Sequence, residues 1–323
     1  MDGASDADVA EFVAALDGFF DRRPDAGPDR WAALCGIGLP ALRVGEPHGL
    51  GASLRAATAV AERLGGALVP EPAGTAIAVA HALDRFGGPA ELRDALIEGS
   101  RVVSPADFER ATLTAEGTFT GSVVVADDTL GDLVAILADS ALVIIDKDVI
   151  PSGADRCEVD PTRPTRKCEL AGAPTLLTLR LPPESVREIA DELALLTISE
   201  LVGGMHTVLT ETVEFVRGRE QFGRSIGSFQ VVKHTLADLY TATEQARAAV
   251  QFAAISCDEH RQDASHDVAA ATRWVVRSAI DTFERALHLH GAMGYSWEVN
   301  IHLHLRRAFA AHQTLPGLAE FAA

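Results

Sequence analysis

Long stretches of helical periodicity, joined by short connections, occupy the last part of the chain. Apolar residues recur every three or four positions within 201–215, again within 229–250 and again within 265–290. That spacing places them on one face of an α-helix. Long helices with short connections pack side by side as an antiparallel bundle. The capping-box pattern Ser185-Val-Arg-Glu188 predicts where the first of these helices begins.

Before the bundle, the chain begins with helical patterns and then changes to the pattern of β-strands. Residues 9–19 place one apolar stripe on a first helix, and further helical patterns continue to residue 97. Over 111–145 and again over 176–181, short runs rich in Thr, Val and other apolar residues indicate strands and hairpins. Residues 151–174 are rich in Pro, Asp and Arg, a composition typical of a loop.

This order predicts an α+β fold that is mostly α, with three domains. They are an N-terminal helical domain (1–105), a small middle β domain (106–182) and a C-terminal helical bundle (183–323). Strands and helices do not alternate along the chain, which excludes a Rossmann fold and an α/β barrel.

The net charge and the N-terminal sequence limit the possible functions. The formal net charge is -18 over 323 residues, which argues against nucleic acid as a partner because binding its backbone needs a basic face. The acidic N-terminus lacks the basic and apolar regions of a signal peptide, and we find no uninterrupted apolar stretch long enough to span a bilayer. We therefore expect a cytoplasmic protein that does not bind membranes. Cys157 and Cys168 could pair, but a cytoplasmic chain usually keeps its thiols reduced.

The connection between the first two long helices carries the most chemistry. It reads Arg217-Gly-Arg-Glu-Gln-Phe-Gly-Arg-Ser-Ile-Gly-Ser-Phe-Gln230 and presents three arginines, aromatic rings and an amide together. Such a turn can bind an anionic, ring-bearing cofactor, because the N–H groups and dipole of a helix N-terminus favour phosphate. On the residues alone the alternative is that Arg219 and Arg224 are solvated turn charges and that Phe222 belongs to the core.

This run resembles the C-terminal signature of the acyl-CoA dehydrogenases, and two other segments share the resemblance. Leu287-His-Leu-His-Gly-Ala-Met-Gly-Tyr295, followed by Arg306-Arg307, is similar to the family segment Gln-x-x-Gly-Gly-x-Gly-Tyr. Val44-Gly-Glu-Pro-His-Gly-Leu-Gly51 resembles part of the family's N-terminal domain. The resemblance covers nearly the whole chain and implies an N-terminal helical domain, a β domain and a C-terminal four-helix bundle.

The resemblance also implies FAD as the cofactor. In the family, the arginine, phenylalanine and glutamine of the first segment contact the phosphates and adenine of FAD, and the glycine-rich segment approaches a FAD held by a neighbouring subunit. In this chain His288 stands in place of the usual Gln, and Ala292 in place of a Gly. The implied cofactor-binding residues are Arg219, Phe222, Gln230, His288, Gly291, Ala292 and Gly294.

The residue that performs the family's chemistry is missing from its usual places. A glutamate removes the α-proton of the acyl-CoA, and it stands either after the arginine that follows the glycine-rich segment or on the helix before the Arg219 motif. Leu315 occupies the first place and Leu193 the second, and Ala194 replaces an arginine that binds CoA in many relatives. Glu192 and Glu200 are nearby. Glu200 is the candidate for a relocated base, against the alternative that both glutamates are exposed helix charges or partners of the helix dipole.

A shortened middle domain and the missing base predict a degenerate subunit. The chain resembles the short subunit of α2β2 heterotetrameric actinobacterial acyl-CoA dehydrogenases that shorten steroid side chains, in which a full-length partner supplies the base. The implied substrate is a bulky acyl-CoA, with an electron-transfer flavoprotein as acceptor. The alternatives are a self-sufficient homo-oligomeric dehydrogenase with a relocated glutamate and a flavin-free scaffold of the same fold.

Several histidines near the C-terminal end raise the question of a metal site. They are His288, His290, His302, His304 and His312. Histidines at i and i+2 of a helix point to different faces, and no shell of carboxylates accompanies them. We therefore expect packing, capping or flavin contacts and no metal.

Overall fold

The computed structural model describes residues 6–20, 27–113, 117–126, 131–138, 140–151, 155–296 and 299–320. Five helices form the N-terminal part: α1 (Asp6–Phe20), α2 (Pro28–Gly36), α3 (Leu54–Gly66), α4 (Ala73–Arg85) and α5 (Ala90–Glu98). The apolar stripe of α1 buries Phe12, Leu16 and Phe19 in the core of these helices. Ser53 caps α3, since its hydroxyl accepts a hydrogen bond from Ala56 N.

A seven-stranded mixed sheet follows. Its strands are β1 (Val103–Leu113), β2 (Thr118–Ala126), β3 (Leu133–Ala138), β4 (Ala141–Asp146), β5 (Asp155–Cys157), β6 (Thr165–Pro174) and β7 (Leu177–Arg180). Their order across the sheet is β5-β6-β2-β1-β3-β4-β7. β1 and β3 run parallel, and the other neighbours are antiparallel.

Both faces of the sheet centre are buried. Along β3, Leu133, Ala135 and Leu137 join the core of the N-terminal helices. Val134 and Ile136 belong to a separate cluster on the opposite face. This alternation is the period-two pattern of a pleated strand, and it explains why β3 and β4 read as continuous apolar runs.

The prediction of a loop over 151–174 is wrong, because the ten-residue strand β6 pairs with β2 at eight positions. In β6 the buried residues Cys168, Leu170 and Ala173 are separated by exposed polar or small ones. Cys157 and Cys168 are both free thiols.

Four long helices complete the fold: α6 (Pro183–Gly218), α7 (Gln230–Asp258), α8 (Ala264–His290) and α9 (Ile301–Glu320). Between α6 and α7 lies a small hairpin of β8 (Glu220–Gln221) and β9 (Arg224–Ser225). The mostly α, α+β architecture expected from the sequence is confirmed. The capping box at Ser185 is not used: α6 begins two residues earlier, at Pro183, and Pro182 at its N-cap makes no side-chain hydrogen bond.

Glycines bring α3 and α6 into close contact. A Cβ on Gly65 would lie 1.9 Å from Glu200 O, and one on Gly203 would lie 1.7 Å from Glu62 O. No side chain larger than hydrogen fits between these backbones. This contact ties the N-terminal helices to the bundle.

Among the described residues, α6 is the one helix long and apolar enough to cross a bilayer by length and composition. However, 72% of its most apolar window is buried inside the protein. That burial is what a central helix of a bundle requires.

Candidate cofactor-binding site

The hairpin between α6 and α7 is held by its base and leaves its tip in solvent. Ile226 N donates to Arg219 O at 2.8 Å, and Ser225 Oγ donates to Val216 O at 2.7 Å on the last turns of α6. Gly227 lies so close to Val216 that a Cβ would sit 3.0 Å from Val216 O. The hairpin therefore has a fixed position on the end of the bundle.

Phe222 at the hairpin tip is 92% exposed, so the alternative that it belongs to the core is wrong. Its φ is 55°, and that of Gly223 is 74°. Positive φ at both central residues is the requirement of a type I′ turn, for which Asn-Gly is preferred. A phenylalanine in this conformation is strained by roughly 1–3 kcal/mol, a cost typical of functional positions. An exposed, strained ring is a surface that a flat ligand can cover.

Cationic groups and a helix N-terminus lie beside that ring. The Arg219 side chain is exposed, and its guanidinium forms no ion pair with any residue in the described part of the chain. Arg224 stacks over the Phe229 ring at 4.0 Å. Phe229 is the N-cap of α7 and offers no side-chain hydrogen bond to its first turn. Arg219 and the free N–H groups of α7 can therefore bind a phosphate or pyrophosphate.

The glycine-rich segment lies at the end of α8. Gly291 has φ 61° and ψ -138° and starts a short 3-10 turn over Gly291–Tyr295. Gly291, Ala292 and Met293 are exposed. Gly294 is buried, and a Cβ there would meet Leu287 at 3.0 Å, so its lack of a side chain serves packing.

A ring stack joins the two segments. Phe215, one turn before Arg219, stacks on His290 with ring centroids 4.1 Å apart and planes 15° apart. His290 also lies 3.2 Å from Thr212 Oγ1. Burial lowers the pKa of His290 from its ordinary value, so the ring is neutral near pH 7. The hairpin and the glycine-rich segment therefore lie at the same end of the bundle.

Of the seven residues predicted to bind the cofactor, Gly294 is buried and the other six are exposed. Those exposed at this end are Arg219, Phe222, Gln230, His288, Gly291 and Ala292. Gln230 is the first residue of α7, and its amide contacts the His234 ring at 3.0 Å. Arginine, an exposed ring, an amide and an uncapped helix N-terminus are the groups that a dinucleotide such as FAD needs. These residues therefore fit the cofactor that the sequence implies.

The places expected for a base hold no proton acceptor. Leu315 and Ala194 are buried apolar residues of the bundle core, and Leu193 packs against the core of the N-terminal helices. None of the three can accept a proton or pair with phosphate. Among the described residues, no group of three or more His, Cys, Asp or Glu side chains is arranged to hold a metal.

Glu200 is buried, which makes the expectation of an exposed charge wrong. Its Oε2 lies 2.6 Å from Arg163 Nη1 and 3.9 Å from Arg307 Nη1. Arg307 in turn binds Asp160 at 3.0 Å. Arg307 and Arg163 also donate to the backbone oxygen of Val69. This buried network, which we call the interdomain ion network, joins the N-terminal helices, the segment after β5, α6 and α9.

Glu192 is also buried and paired. Its Oε1 lies 2.8 Å from Arg43 Nε, and its Oε2 lies 2.7 Å from His81 Nδ1. Burial opposes ionisation, but the charges of Arg43 and His81 outweigh it and hold the pKa of Glu192 below its ordinary value. Glu192 is therefore ionised and bound within the protein.

Sequence reasoning missed this interdomain ion network and the Phe215–His290 stack. The members of the network are far apart in the chain, and they lie in segments that read as loop or helix. One local signal was available: Asp160 accepts hydrogen bonds from Thr162 N and Oγ1, a turn typical of Asp-x-Thr sequences.

Comparisons with known proteins agree with this architecture. Residues 186–315 match the family described as acyl-CoA dehydrogenase, C-terminal domain. Acyl-CoA dehydrogenase IpdE2 of Mycobacterium tuberculosis is 33% identical over 299 residues, which cover 90% of this chain and 84% of that protein.

Solved structures share the fold, among them these two. One is described as "Tcur3481-Tcur3483 steroid ACAD G363A variant"; its TM-score is 0.85 at 23% identity, covering 96% of this chain and 94% of that one. The other is the ChsE4-ChsE5 complex from Mycobacterium tuberculosis, with a TM-score of 0.82 at 22% identity, covering 99% and 96%. The identity and coverage of the IpdE2 relative show that this chain belongs to the acyl-CoA dehydrogenase family.

Proposed function

We propose that this chain is the non-catalytic subunit of a heteromeric, FAD-dependent acyl-CoA dehydrogenase. The hairpin and the Gly291 segment complete the flavin site of a full-length partner subunit, and that partner supplies the catalytic glutamate. The observation that carries the proposal is a pairing of two features. One end of the bundle exposes unpaired groups suited to a dinucleotide, while Leu193 and Leu315 occupy both places expected for the base.

Each exposed group has a role in this proposal. Arg219 and the N-terminus of α7 bind the pyrophosphate, and Phe222 covers the adenine. When bound, FAD supplies the acceptor for a hydride taken from the acyl chain. Phe215 and His290 hold the hairpin and the Gly291 segment at a fixed position relative to each other, because their ring stack links the two segments.

Exposed apolar side chains at the same end support a partner subunit. Phe222, Val231, Met293 and Tyr295 are 92%, 71%, 45% and 73% exposed. Such a concentration is typical of a surface that another chain covers. An α2β2 heterotetramer would bury it, with each short subunit facing a full-length one.

The substrate in this proposal is a bulky acyl-CoA. Of the two structures described above, one is a steroid acyl-CoA dehydrogenase variant and the other is the ChsE4-ChsE5 complex. A steroid-CoA ester extends the proposal by this likeness. The proposal also includes a cytoplasmic location and an electron-transfer flavoprotein as acceptor.

The two alternative functions have less support. A self-sufficient enzyme would need Glu200 or Glu192 as the base, but each is bound in a buried ion pair. A flavin-free scaffold would not need a strained, exposed Phe222 beside an unpaired arginine.

The test is flavin content and solution mass for the chain alone and after co-expression with a full-length acyl-CoA dehydrogenase from the same genome. We expect flavin and a stable larger assembly only with the partner, and loss of flavin with Arg219→Ala. Arg217→Ala, an exposed arginine one residue before the end of α6, is the matched control and retains flavin. Acyl-CoA oxidation by the chain alone would contradict the proposal, and a flavin-free complex would favour the scaffold.

A further inference from the structure

Three large side chains are exposed on the outer face of α7 and α8. Tyr240 and Phe252 on α7 and Trp274 on α8 are 59%, 53% and 48% exposed. α7 packs on α3, α6 and α8, and α8 packs on α6, α7 and α9. The outer face is therefore the side of this helix pair that points away from the protein. Exposed apolar surface of this kind marks a site that another molecule covers.

The exposed positions of α7 on this face carry no charge. The two charged side chains between Leu239 and Cys257, Glu244 and Arg247, are paired with each other, and Arg247 also binds Glu62. In a chain whose formal net charge is -18, an uncharged helix face is typical of the core of a protein interface, from which charged residues are depleted. The exposed residues of this span are Tyr240, Thr241, Gln245, Ala248, Gln251 and Phe252.

The large and small residues of this α7 face are arranged symmetrically. Tyr240 and Ala248 are equally distant from residue 244, and Phe252 and Ala237 are equally distant from the point between residues 244 and 245. Both alanines are exposed. If a second α7 lay antiparallel across the first, each aromatic ring would meet an alanine of the other copy. Large side chains opposite small ones allow two helices to pack closely.

The charges of α8 have the same symmetry. Arg273 and Arg277 lie on one half of its exposed face, and Asp281 and Glu284 lie on the other half. Arg277 and Asp281 are equally distant from residue 279, and Arg273 and Glu284 are equally distant from the point between residues 278 and 279. Among the described residues, neither arginine nor Glu284 has an ion-pair partner. An antiparallel second α8 would set each arginine opposite a carboxylate.

The midpoints of the two patterns lie at the same height, as a single two-fold axis requires. Arg285 Nη2 lies 2.9 Å from Asp238 Oδ2, and Ser256 Oγ donates to Asp267 Oδ2 at 2.6 Å. Because α7 and α8 run antiparallel, these two contacts place the midpoint on α7 level with the midpoint on α8. One axis perpendicular to both helices therefore pairs rings with alanines and arginines with carboxylates. Such self-complementarity is the property of a two-fold contact between copies of one chain.

We propose that the outer face of α7 and α8 binds the same face of a second copy of this chain about this two-fold axis. At the usual dimensions of two adjacent helices, the face is about 24 Å by 20 Å, so the contact buries roughly 1,000 Å² in total. This area is at the lower limit for a specific interface, and the isolated chain therefore associates weakly. The face, which we call the dimer face, consists of Ala237, Tyr240, Ala248, Phe252, Arg273, Trp274, Arg277, Asp281 and Glu284.

The dimer face contains none of the candidate cofactor-binding residues, so this inference does not rest on the proposed function. In the proposed α2β2 assembly, the dimer face would join the two short subunits, and the hairpin end would remain available to the full-length partner.

Disulfide trapping tests the position of the axis. The two copies of Gln245 lie next to it, within reach of a disulfide, whose Cα atoms are roughly 4.4–6.8 Å apart. Gln245→Cys should therefore form a covalent dimer under mild oxidation, visible in non-reducing electrophoresis. Gln251→Cys, exposed on the same helix, is the matched control, because its two copies would be about 20 Å apart. Both variants carry Cys157→Ser, which removes an exposed thiol. Equal trapping of the two variants, or none of Gln245→Cys, would overturn the proposal.

Sedimentation of the full chain at millimolar concentration tests the charges. Arg273→Glu and Glu284→Arg each place like charges opposite one another, and each should weaken association about tenfold. The double variant restores opposite charges across the axis and should recover the wild-type affinity. Within one chain the two residues are about 16 Å apart along α8, so the recovery requires a second copy. Arg180→Glu, exposed at the end of β7, makes the same charge change elsewhere and should leave association unchanged.

A wild-type chain that stays monomeric at this concentration would overturn the proposal, as would a double variant that associates as weakly as its single variants. Circular dichroism melting confirms that all the variants fold. These measurements involve neither flavin nor the full-length partner. A failure here would therefore leave the proposed function standing, and a failure of the proposed function would leave the dimer face standing.

Discussion

Arg163 Nη1 lies 2.6 Å from Glu200 Oε2, and this ion pair fixes the segment after β5 against the middle of α6. The Arg163 guanidinium also reaches Val69 O, and Glu200 faces Arg307 from the other side. A carboxylate shared by two arginines cannot turn toward a substrate. Glu200 is thus part of the structural frame between domains.

Glu200→Gln should therefore destabilise the chain strongly. The change leaves Arg163 and Arg307 with Asp160 as the remaining carboxylate of the interdomain ion network, and breaking a buried ion pair from one side costs about 3–5 kcal/mol. Chemical denaturation measures the loss. Glu188→Gln, whose pair with Arg85 is about 40% exposed on both sides, is the control and should cost less than about 1 kcal/mol. If Glu200→Gln matches this control, the network does not stabilise the fold.

Much of the fold was predictable because periodicity is local. The apolar stripes identify α1, α6, α7 and α8, and the apolar runs split near residues 139–140 identify β3 and β4. β6 was missed because just three of its ten residues are buried on the inward face, amid charged and small neighbours. The start of α6 was misplaced because Pro183, pre-organised for the first helical position, begins the helix before the capping box.

Gly203→Ala should prevent normal packing of α3 on α6. The added Cβ would lie 1.7 Å from Glu62 O, a backbone atom that cannot move without shifting α3. Overpacking against backbone costs at least about 1–3 kcal/mol, and we expect a lower Tm by calorimetry. Gly218→Ala, at the end of the same helix with no atom within 4 Å of the added Cβ, should be neutral or stabilising. A Tm for Gly203→Ala that equals or exceeds the Tm of Gly218→Ala would contradict this prediction.

The candidate cofactor-binding end was predictable in part. Its arginine, ring and amide lie within one short run of sequence, so spacing alone brings them together. The interdomain ion network was not predictable, because Asp160 and Arg307 are 147 positions apart and meet only when α9 packs on the segment after β5. For the same reason, no sequence pattern indicated that Glu192 would be paired with Arg43 and His81.

Asp191→Asn should stabilise the chain above about pH 6. Burial raises the pKa of Asp191 to about 6, and the hydrogen bond from Ser265 offsets it only in part. The folded state therefore holds a proton more tightly than the unfolded state, so ionisation destabilises it as pH rises. The asparagine removes this cost, a gain of roughly 1–3 kcal/mol, which should vanish as pH falls below about 4.

Thermal melts of wild type and Asp191→Asn across pH 4–8 measure this dependence. Asp281→Asn, at an exposed position of α8, is the control and should give a difference from wild type that varies little with pH. A constant gain for Asp191→Asn at every pH would mean that packing, and not ionisation, is responsible.

Phe222→Asn should separate stability from flavin binding. Asparagine adopts positive φ more readily than phenylalanine, and Asn-Gly is the preferred pair for this turn. The substitution relieves the backbone strain at φ 55° and removes an exposed ring. It therefore costs no core packing. We therefore expect the isolated chain to melt at a higher temperature, by up to about 1 kcal/mol of added stability. Flavin retained by the co-expressed complex should fall, because the ring that we propose covers the adenine is gone. Phe252→Asn, which removes an exposed ring toward the other end of α7, is the control for lost apolar surface and should retain flavin. A complex of Phe222→Asn that keeps its full flavin content would show that the strained ring serves something other than the cofactor.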